Sequence, residues 1–104
     1  MKEKERIAGA VVLLSADDRW PDGQSASAFY LHNLVTDPYV KGVGRELLRE
    51  SEALALRQQK RFLRLDCSIY SVFLNHYYES AGFHLAGRCK EGPYEGNLRE
   101  KALF

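Results

Sequence analysis

The sequence predicts an α/β (α+β) fold, a mixed sheet whose elements follow the order β-β-α-β-α-β-β. Short apolar or alternating runs predict five strands, and two segments with apolar residues at helical spacing predict two helices. A strand, a helix and a second strand in succession imply a right-handed crossover, so we expect one parallel pair in a mostly antiparallel sheet. With 104 residues, the chain has the length of a single domain, expected to span residues 1 to 104.

The first two strands come from apolar runs on either side of a polar loop. The run IAGAVVLL predicts a buried strand at residues 6 to 14. The segment SADDRWPDGQSASA predicts a long loop, and AFYLHNLVTDP predicts an antiparallel return at about residues 28 to 36. This strand must end near Asp37 because Pro38 lacks a backbone N–H and disfavours a helical conformation at the preceding residue.

The middle of the chain changes its apolar period from helix to strand. Val43, Leu47 and Leu54 fall on one stripe with charged residues around it, which predicts an amphipathic helix at residues 43 to 59. The alternating segment RFLRLDCSI then predicts a strand at residues 61 to 69.

The last three elements are a helix and two strands. Aromatic residues at helical spacing in SVFLNHYYESA predict a helix at residues 71 to 81, and Gly82 is placed where a left-handed residue ends a helix. The segments FHLAGRCKE and NLREKALF predict strands at residues 83 to 91 and 97 to 104, joined by a GPYEG turn.

Composition argues against several classes of partner. The formal charge is +1, with 15 basic and 14 acidic residues interspersed, so we expect no nucleic-acid partner. No apolar run approaches the roughly 20 residues that span a bilayer, and MKEKER does not begin a secretory signal, so we expect no membrane partner and a cytoplasmic location. The two cysteines and three histidines lack metal-ligand spacing, and no metal is expected.

A loop between the second strand and the first helix suggests an anion site. In DPYVKGVGRELL the helix begins within a glycine-containing turn, where unpaired N–H groups and the helix dipole favour an anion. Gly42 and Gly44 remove side chains that would block a phosphate. Neither G-x-x-x-x-G-K-[ST] nor G-x-G-x-x-G is present, which argues against nucleoside triphosphate chemistry. The glycines alone are equally compatible with a packing role.

Two blocks resemble one family. HNLVTDPYVKGVGRELL is similar to the acetyl-coenzyme A binding motif of the GNAT superfamily of N-acetyltransferases, a strand followed by a Q/R-x-x-G-x-G/A loop and a helix. LDCSIYSVFLNHYYESAGF resembles the next family block, a strand ending in L-D and a helix closing in Y-E-x-x-G-F. The resemblance covers about residues 6 to 104.

The resemblance implies where the coenzyme binds. The backbone of the second strand would pair with the pantetheine arm, and the pyrophosphate would bind backbone N–H groups, with Lys41 and Arg45 as counter-charges. Ser71 stands where many members carry an asparagine that contacts the coenzyme. The implied coenzyme-binding residues are Asn33, Leu34, Val35, Thr36, Lys41, Gly42, Val43, Gly44, Arg45, Ser71 and Tyr78.

The resemblance also implies direct acetyl transfer from acetyl-coenzyme A to a primary amine, either a small molecule or a peptide amine. Tyr78 matches the tyrosine of Y-E-x-x-G-F, which can protonate the departing thiolate. Most amines with a pKa near about 10 are protonated at neutral pH, so a base must remove a proton. His32 and Asp66 are the candidates for that base.

Departures from the family pattern keep an alternative open. Tyr39 replaces the first Q/R of the loop motif, and nothing before IAGAVVLL supplies the strand and helices with which family domains usually open. The chain is thus expected to be a fragment, a shortened member completed by a second subunit, or a coenzyme-binding remnant. The alternative function is a non-catalytic acyl-coenzyme A binding or assembly module; an unrelated α/β interaction domain would make both blocks coincidental. The limited core of so short a chain adds a homodimer to the expectations.

Overall fold

The computed structural model describes residues 2–3, 6–7, 9–36 and 41–104. A small antiparallel hairpin pairs β1 (Lys2–Glu3) with β2 (Arg6–Ile7). The main sheet has five strands in the order β3-β4-β5-β7-β6, with helices after β4 and β5. Its elements are β3 (Gly9–Leu14), β4 (Ala28–Thr36), α1 (Val43–Arg57), β5 (Phe62–Ser68), α2 (Val72–Ser80), β6 (His84–Glu91) and β7 (Tyr94–Ala102).

The predicted fold class is confirmed, including its one crossover. Of the described strands, only β4 and β5 pair in parallel, and α1 connects them. The predicted turn at Asp37 and Pro38, and the departure at Tyr39, lie outside the described residues. Neither α1 nor α2 is long and apolar enough to cross a membrane.

Two predicted strands need correction. The strand predicted at residues 6 to 14 is divided, because β2 pairs with β1 while β3 pairs with β4. β3 is also not fully buried: it lies at the edge of the sheet, where Val12 and Leu14 stay exposed. The last strand begins at Tyr94 rather than at residue 97, because Gly92, with φ +59, and Pro93 suffice for a two-residue turn.

Both faces of the sheet are covered, each by a different kind of structure. The two helices pack on one face around a core that includes Leu48 of α1, Leu63 and Leu65 of β5, and Tyr78 of α2. On the opposite face, which we call the outer face, the loop at residues 15–27 places Trp20 against a smaller core. This outer core comprises Trp20, Ala28, Tyr30 and Leu98.

A left-handed glycine ends α2 as predicted. Gly82 has φ +96, and the N–H groups of Gly82 and Phe83 donate to the carbonyls of Glu79 and Tyr78 at 3.1 and 2.9 Å. This pattern is a Schellman motif, and the rings of Tyr78 and Phe83 pack edge to face with centroids 6.0 Å apart, as that motif favours. The motif fixes the last turn of α2, where Tyr78 lies.

Replacing Gly82 by alanine is expected to lower the free energy of unfolding by about 1 to 2 kcal/mol, because a Cβ is disfavoured at positive φ. Urea unfolding followed by circular dichroism would measure the change. Gly87→Ala is the matched control, since a Cβ there would meet Leu98 Cδ1 at an ordinary 3.6 Å and the backbone has no positive φ. Equal urea midpoints for Gly82→Ala and Gly87→Ala would contradict the role assigned to Gly82 at the end of α2.

Candidate functional site: a cleft between β4 and β5

The two parallel strands separate partway along their length. β4 and β5 pair only through Ala28, Phe29 and Tyr30 of β4. Beyond that point β4 stays paired with β3 up to Thr36, and β5 stays paired with β7 up to Ser68. Each strand therefore keeps its outer neighbour, while their facing backbone edges diverge and bound a cleft.

A bulge in β4 lies beside this cleft. Val12 pairs with His32 and Ala10 pairs with Val35, so two residues of β4, Asn33 and Leu34, oppose a single residue of β3. Asn33 has φ +54, a left-handed conformation that asparagine tolerates better than most residues. A bulge of this kind bends its strand and redirects its side chains. The bend accounts for the separation of β4 from β5.

The cleft contains a cavity of about 140 Å³. Its wall is mostly leucine, with Asn33, Asp66 and Tyr78 as the polar groups. An apolar wall with a few converging polar groups is typical of a small-molecule site. The lining residues are Leu31, Asn33, Leu34, Leu48, Leu65, Asp66, Leu74 and Tyr78.

α1 begins near the end of β4, and the first N–H groups of this helix have no partner within the helix. Gly42 is the N-cap in a left-handed conformation, φ +82, and no side chain in the described part of the chain caps this end. A Cβ at Gly42 would meet nothing within 4 Å, whereas one at Gly44 would lie 2.8 Å from Tyr77 Oη and 3.8 Å from Thr36 Cγ2 at the end of β4. Open space and free N–H groups at a helix start suit an anion.

The neighbours of this helix start differ in what they can contribute. Val43 is buried against Leu47, so only its backbone faces a ligand. Lys41 is exposed. Arg45 donates to Ser80 Oγ at 3.0 Å and lies over the Tyr77 ring, with 5.1 Å from Cζ to the ring centroid. Within this structure Arg45 therefore links α1 to α2.

Tyr78 occupies the helix side of the cleft. Its side chain is 8% exposed, and burial, reinforced by the nearby Cys67, raises its pKa to about 12. The phenol is therefore protonated throughout the physiological pH range. The N-cap Ser71, whose Oγ accepts from the Leu74 N–H at 3.1 Å, fixes the start of the same helix.

Sequence reasoning missed the role of Asn75. Its Nδ2 donates to the carbonyls of Ser68 and Ser71 at 2.9 and 2.8 Å. Its Oδ1 accepts from Asn97 at 2.8 Å and from Arg99 at 3.1 Å. Asn75 thus ties the end of β5 to α2 and β7, which holds that side of the cleft. A polar residue on the sheet-facing side of a predicted helix was the available signal.

The two predicted base candidates both lie on the outer face. His32 Nε2 is 2.9 Å from Asp17 Oδ2, although the contact is not aligned as a hydrogen bond, and His32 does not line the cavity. Asp66 does reach the cavity. Its carboxylate accepts a short hydrogen bond from the Tyr94 hydroxyl and pairs with Arg19 at 3.4 Å.

Tyr94 and Arg19 are the partners that the sequence did not reveal. Burial and then the Asp66 carboxylate raise the pKa of Tyr94 well above its usual range. Arg19 also lies over the Tyr94 ring, 5.3 Å from its centroid. These contacts join the loop at residues 15–27 to the rim of the cleft. In the described part of the chain, no three metal-ligating side chains come together.

Known proteins that are similar to this chain include acetyltransferases. No family model matches the chain. A curated relative, the uncharacterized N-acetyltransferase YesJ of Bacillus subtilis strain 168, is 30% identical over 99 residues. That alignment covers 88% of this chain and 54% of the relative, so the chain spans about half the length of the curated protein.

Solved structures share the fold. A GNAT-family acetyltransferase from Listeria monocytogenes has a TM-score of 0.76 at 23% identity, over 93% of this chain and 58% of that one. A GNAT-family acetyltransferase from Staphylococcus aureus has a TM-score of 0.76 at 14% identity, over 99% and 65%. A Bacillus subtilis acetyltransferase in complex with CoA has a TM-score of 0.76 at 14% identity, over 98% and 73%. The chain is thus similar in sequence to an N-acetyltransferase and shares its fold with GNAT-family acetyltransferases, and both findings fit the predicted family, a GNAT N-acetyltransferase.

Proposed function

We propose that this chain binds acetyl-coenzyme A in the cleft between β4 and β5 and transfers its acetyl group to a primary amine. The observation that carries the proposal is the loss of pairing beyond Tyr30, which leaves a free strand edge near a helix start that no side chain of the described residues caps. A strand edge can pair with an extended amide chain, and a helix start can hold a diphosphate. The two features are adjacent, as the pantetheine and pyrophosphate of one ligand require.

The proposed binding mode assigns the predicted residues to two groups. Residues 33–36 offer backbone groups of β4 to the pantetheine amides, and residues 41–45 offer N–H groups and positive charge to the pyrophosphate. Ser71, the N-cap of α2, follows the end of β5 and is proposed to contact the coenzyme from that side. The fold shared with a CoA-bound acetyltransferase supports this mode.

The proposed reaction is a direct transfer. A neutral amine nitrogen attacks the thioester carbonyl carbon, a C–N bond forms, and backbone N–H groups at the cleft stabilise the oxyanion. The C–S bond then breaks, the sulfur receives a proton from Tyr78, and the Tyr78 phenolate regains a proton from the ammonium nitrogen of the tetrahedral intermediate, directly or through water. Because Tyr78 is buried and protonated, it can donate a hydrogen bond to the developing thiolate at neutral pH.

The amine is proposed to approach from the outer face, where both base candidates lie. Asp66 reaches the cavity, and His32 lies near Asp17 on the same face. Carboxylates on this face favour a cationic amine on approach, and one of the two candidates must then take its proton. Small-molecule and peptide amines both meet this requirement.

An acyl-coenzyme A binding module without transfer activity is the second candidate. The observation that favours it is the occupied carboxylate of Asp66, which already holds Tyr94 and Arg19. Such a module would bind acetyl-coenzyme A but release no thiol with any amine in a panel. An enzyme would bind acetyl-coenzyme A and would also release the thiol when a suitable amine is present.

Replacing Gly44 by aspartate tests the pyrophosphate site. The added carboxylate would lie in the first turn of α1, where it favours the helix but repels a diphosphate. Gly44→Asn has nearly the same shape without the charge. We expect the aspartate variant to bind coenzyme A at least about tenfold more weakly than the asparagine variant, since like charges near a protein surface repel by several kcal/mol.

Isothermal titration of both variants at low and moderate ionic strength would measure this difference, with thermal melting as the check on folding. Added salt should reduce the difference, because it screens exposed charges. Equal affinities for the aspartate and asparagine variants would place the pyrophosphate elsewhere. No binding to the unaltered, folded chain would refute the coenzyme assignment itself.

A further inference from the structure

An aromatic pair on α2 joins the core to the surface: Tyr77 packs against the core, whereas Phe73 has no role in the core or in the proposed chemistry. The side chain of Phe73 is 74% exposed. Its ring stacks on that of Tyr77 with centroids 6.1 Å apart and an interplanar angle of 18°. Packing in the core does not explain a phenylalanine that is so exposed. Tyr77 covers one face of the Phe73 ring, and the other face is a flat apolar surface open to solvent.

The position of this pair relates it to the anion site. A Cβ at Gly44 would lie 2.8 Å from Tyr77 Oη, so the Tyr77 hydroxyl is next to the start of α1. The Arg45 guanidinium covers the Tyr77 ring at 5.1 Å. Tyr77 therefore lies between the glycine-containing start of α1 and Phe73, and we call these two rings the strip.

The strip is distinct from the wall of the cavity. Leu74 and Tyr78 line the cavity, whereas Phe73 and Tyr77 occupy the neighbouring stripe of the same helix. A ligand leaving the cavity past the helix start would reach this stripe next. The part of the ligand that binds to Phe73 and Tyr77 is therefore not the part that reacts in the cavity.

We propose that Phe73, backed by Tyr77, forms a stacking platform for the purine ring of the coenzyme. Flat nucleobases stack on aromatic side chains without needing specific hydrogen bonds. Tyr77 lies between the start of α1 and Phe73, so a base on Phe73 would bind beyond the pyrophosphate, which matches the order of phosphate and base in the ligand. The inference rests on the proposed coenzyme site.

Comparing two ligands tests the platform without relying on activity. Coenzyme A contains the adenosine, and 4′-phosphopantetheine lacks it. We expect Phe73→Ala to weaken coenzyme A binding about 5-fold to 100-fold, the usual worth of one stacked base, and to leave 4′-phosphopantetheine binding unchanged. Isothermal titration would give both dissociation constants.

The adjacent Val72 offers a matched control, because it is an equally apolar side chain on the same helix and is 83% exposed. Val72→Ala should change neither dissociation constant. Phe73→Leu, which stays apolar but loses the ring, should behave like Phe73→Ala. Phe73→Ala should melt at the temperature of the unaltered chain, since its side chain is outside the core.

Two results would overturn the platform: unchanged coenzyme A binding by Phe73→Ala, or an equal loss for both ligands. In either case the unaltered protein would still bind coenzyme A, and the proposed function would stand. If the unaltered protein binds neither ligand, the proposed function fails and the platform fails with it.

Discussion

The variant Arg64→Met is expected to lower the free energy of unfolding by about 2 to 3 kcal/mol, because it removes charged hydrogen bonds, which contribute about 1.5 to 3 kcal/mol each. The side chain of Arg64 is 6% exposed and lies on the outer face of the sheet. Its guanidinium pairs with Asp22 at 2.9 Å and with Glu100 at 2.8 Å, and it donates to the Tyr30 hydroxyl at 2.9 Å. Methionine fills similar space but leaves these acceptors without their donor.

The loss of stability in Arg64→Met should also affect the loop that Arg64 contacts. Arg64 lies 4.2 Å from the centroid of the Trp20 ring, and its partner Asp22 belongs to the same loop. The loop at residues 15–27 is thus held to the sheet by a cation–π contact and an ion pair that share one residue. Trp20 is the only tryptophan of the chain, so its fluorescence reports directly on whether the loop leaves the sheet.

Urea unfolding of Arg64→Met, read by both fluorescence and circular dichroism, would measure the effect. Arg49→Met is the matched control, because the Arg49 side chain is 75% exposed and its contact with Glu46 is 3.6 Å long. Such an exposed pair contributes at most about 1 kcal/mol. Similar midpoints for the two methionine variants would show that the Arg64 network does not stabilise the fold.

The contacts of Arg64 also predict how the stability difference between the unaltered chain and Arg64→Met depends on pH. A hydrogen bond from Arg64 lowers the pKa of Asp22, so the folded state favours the ionised carboxylate. A group whose pKa is lowered by folding stabilises above its unfolded pKa, and this stability is lost as the pH falls through the folded value. The gap between the unaltered chain and Arg64→Met should therefore narrow below about pH 4, where aspartate becomes protonated.

Arg64 also shows where periodicity stops being informative. Alternation in β5 correctly placed Leu63, Leu65 and Cys67 on one face, and all three are buried against the helices. It placed Arg64 and Asp66 on the opposite face, but it contained no sign that a loop 15–27 covers that face. Contacts between residues more than 40 positions apart, such as Arg64 with Asp22, leave no local pattern in the sequence.

Only part of the cleft could be predicted, because some of its features are local in sequence and others are not. A glycine-containing helix start is a local feature, and the left-handed Gly42 was foreseeable from residue type. The bulge at Asn33 and the end of β4–β5 pairing depend on how three strands align, which no single segment encodes. The predicted burial of β3 was wrong because an apolar run does not reveal whether its strand lies at an edge.

The variant Tyr78→Phe is expected to lower kcat about 100-fold or more while the dissociation constant for acetyl-coenzyme A stays within about threefold. A positioned proton donor typically contributes a factor of about 10² to 10⁴, and only the hydroxyl is removed. The ring, which packs against Phe83 with centroids 6.0 Å apart, is retained. Thiol release during transfer to an identified amine would give kcat, and titration would give the affinity.

Tyr70→Phe is the matched control, because it removes a phenol hydroxyl that donates to Glu95 on the exposed surface, and Tyr70 does not line the cavity. Both turnover and coenzyme affinity should remain close to those of the unaltered chain. Normal turnover by Tyr78→Phe would refute the proton-donor role. A parallel loss of affinity and turnover would instead assign the hydroxyl to binding.

The pH dependence of the rate distinguishes the proton donor, Tyr78, from the base that deprotonates the amine. With a pKa raised to about 12 by burial, Tyr78 stays protonated between pH 6 and 10, so it contributes no inflection there. The pH–rate profile of Tyr78→Phe should keep the shape of the original at a lower height, because the group that deprotonates the amine is untouched. If the variant removes an inflection from that range, Tyr78 itself titrates during turnover, and its burial in the cleft does not hold it in the donor state.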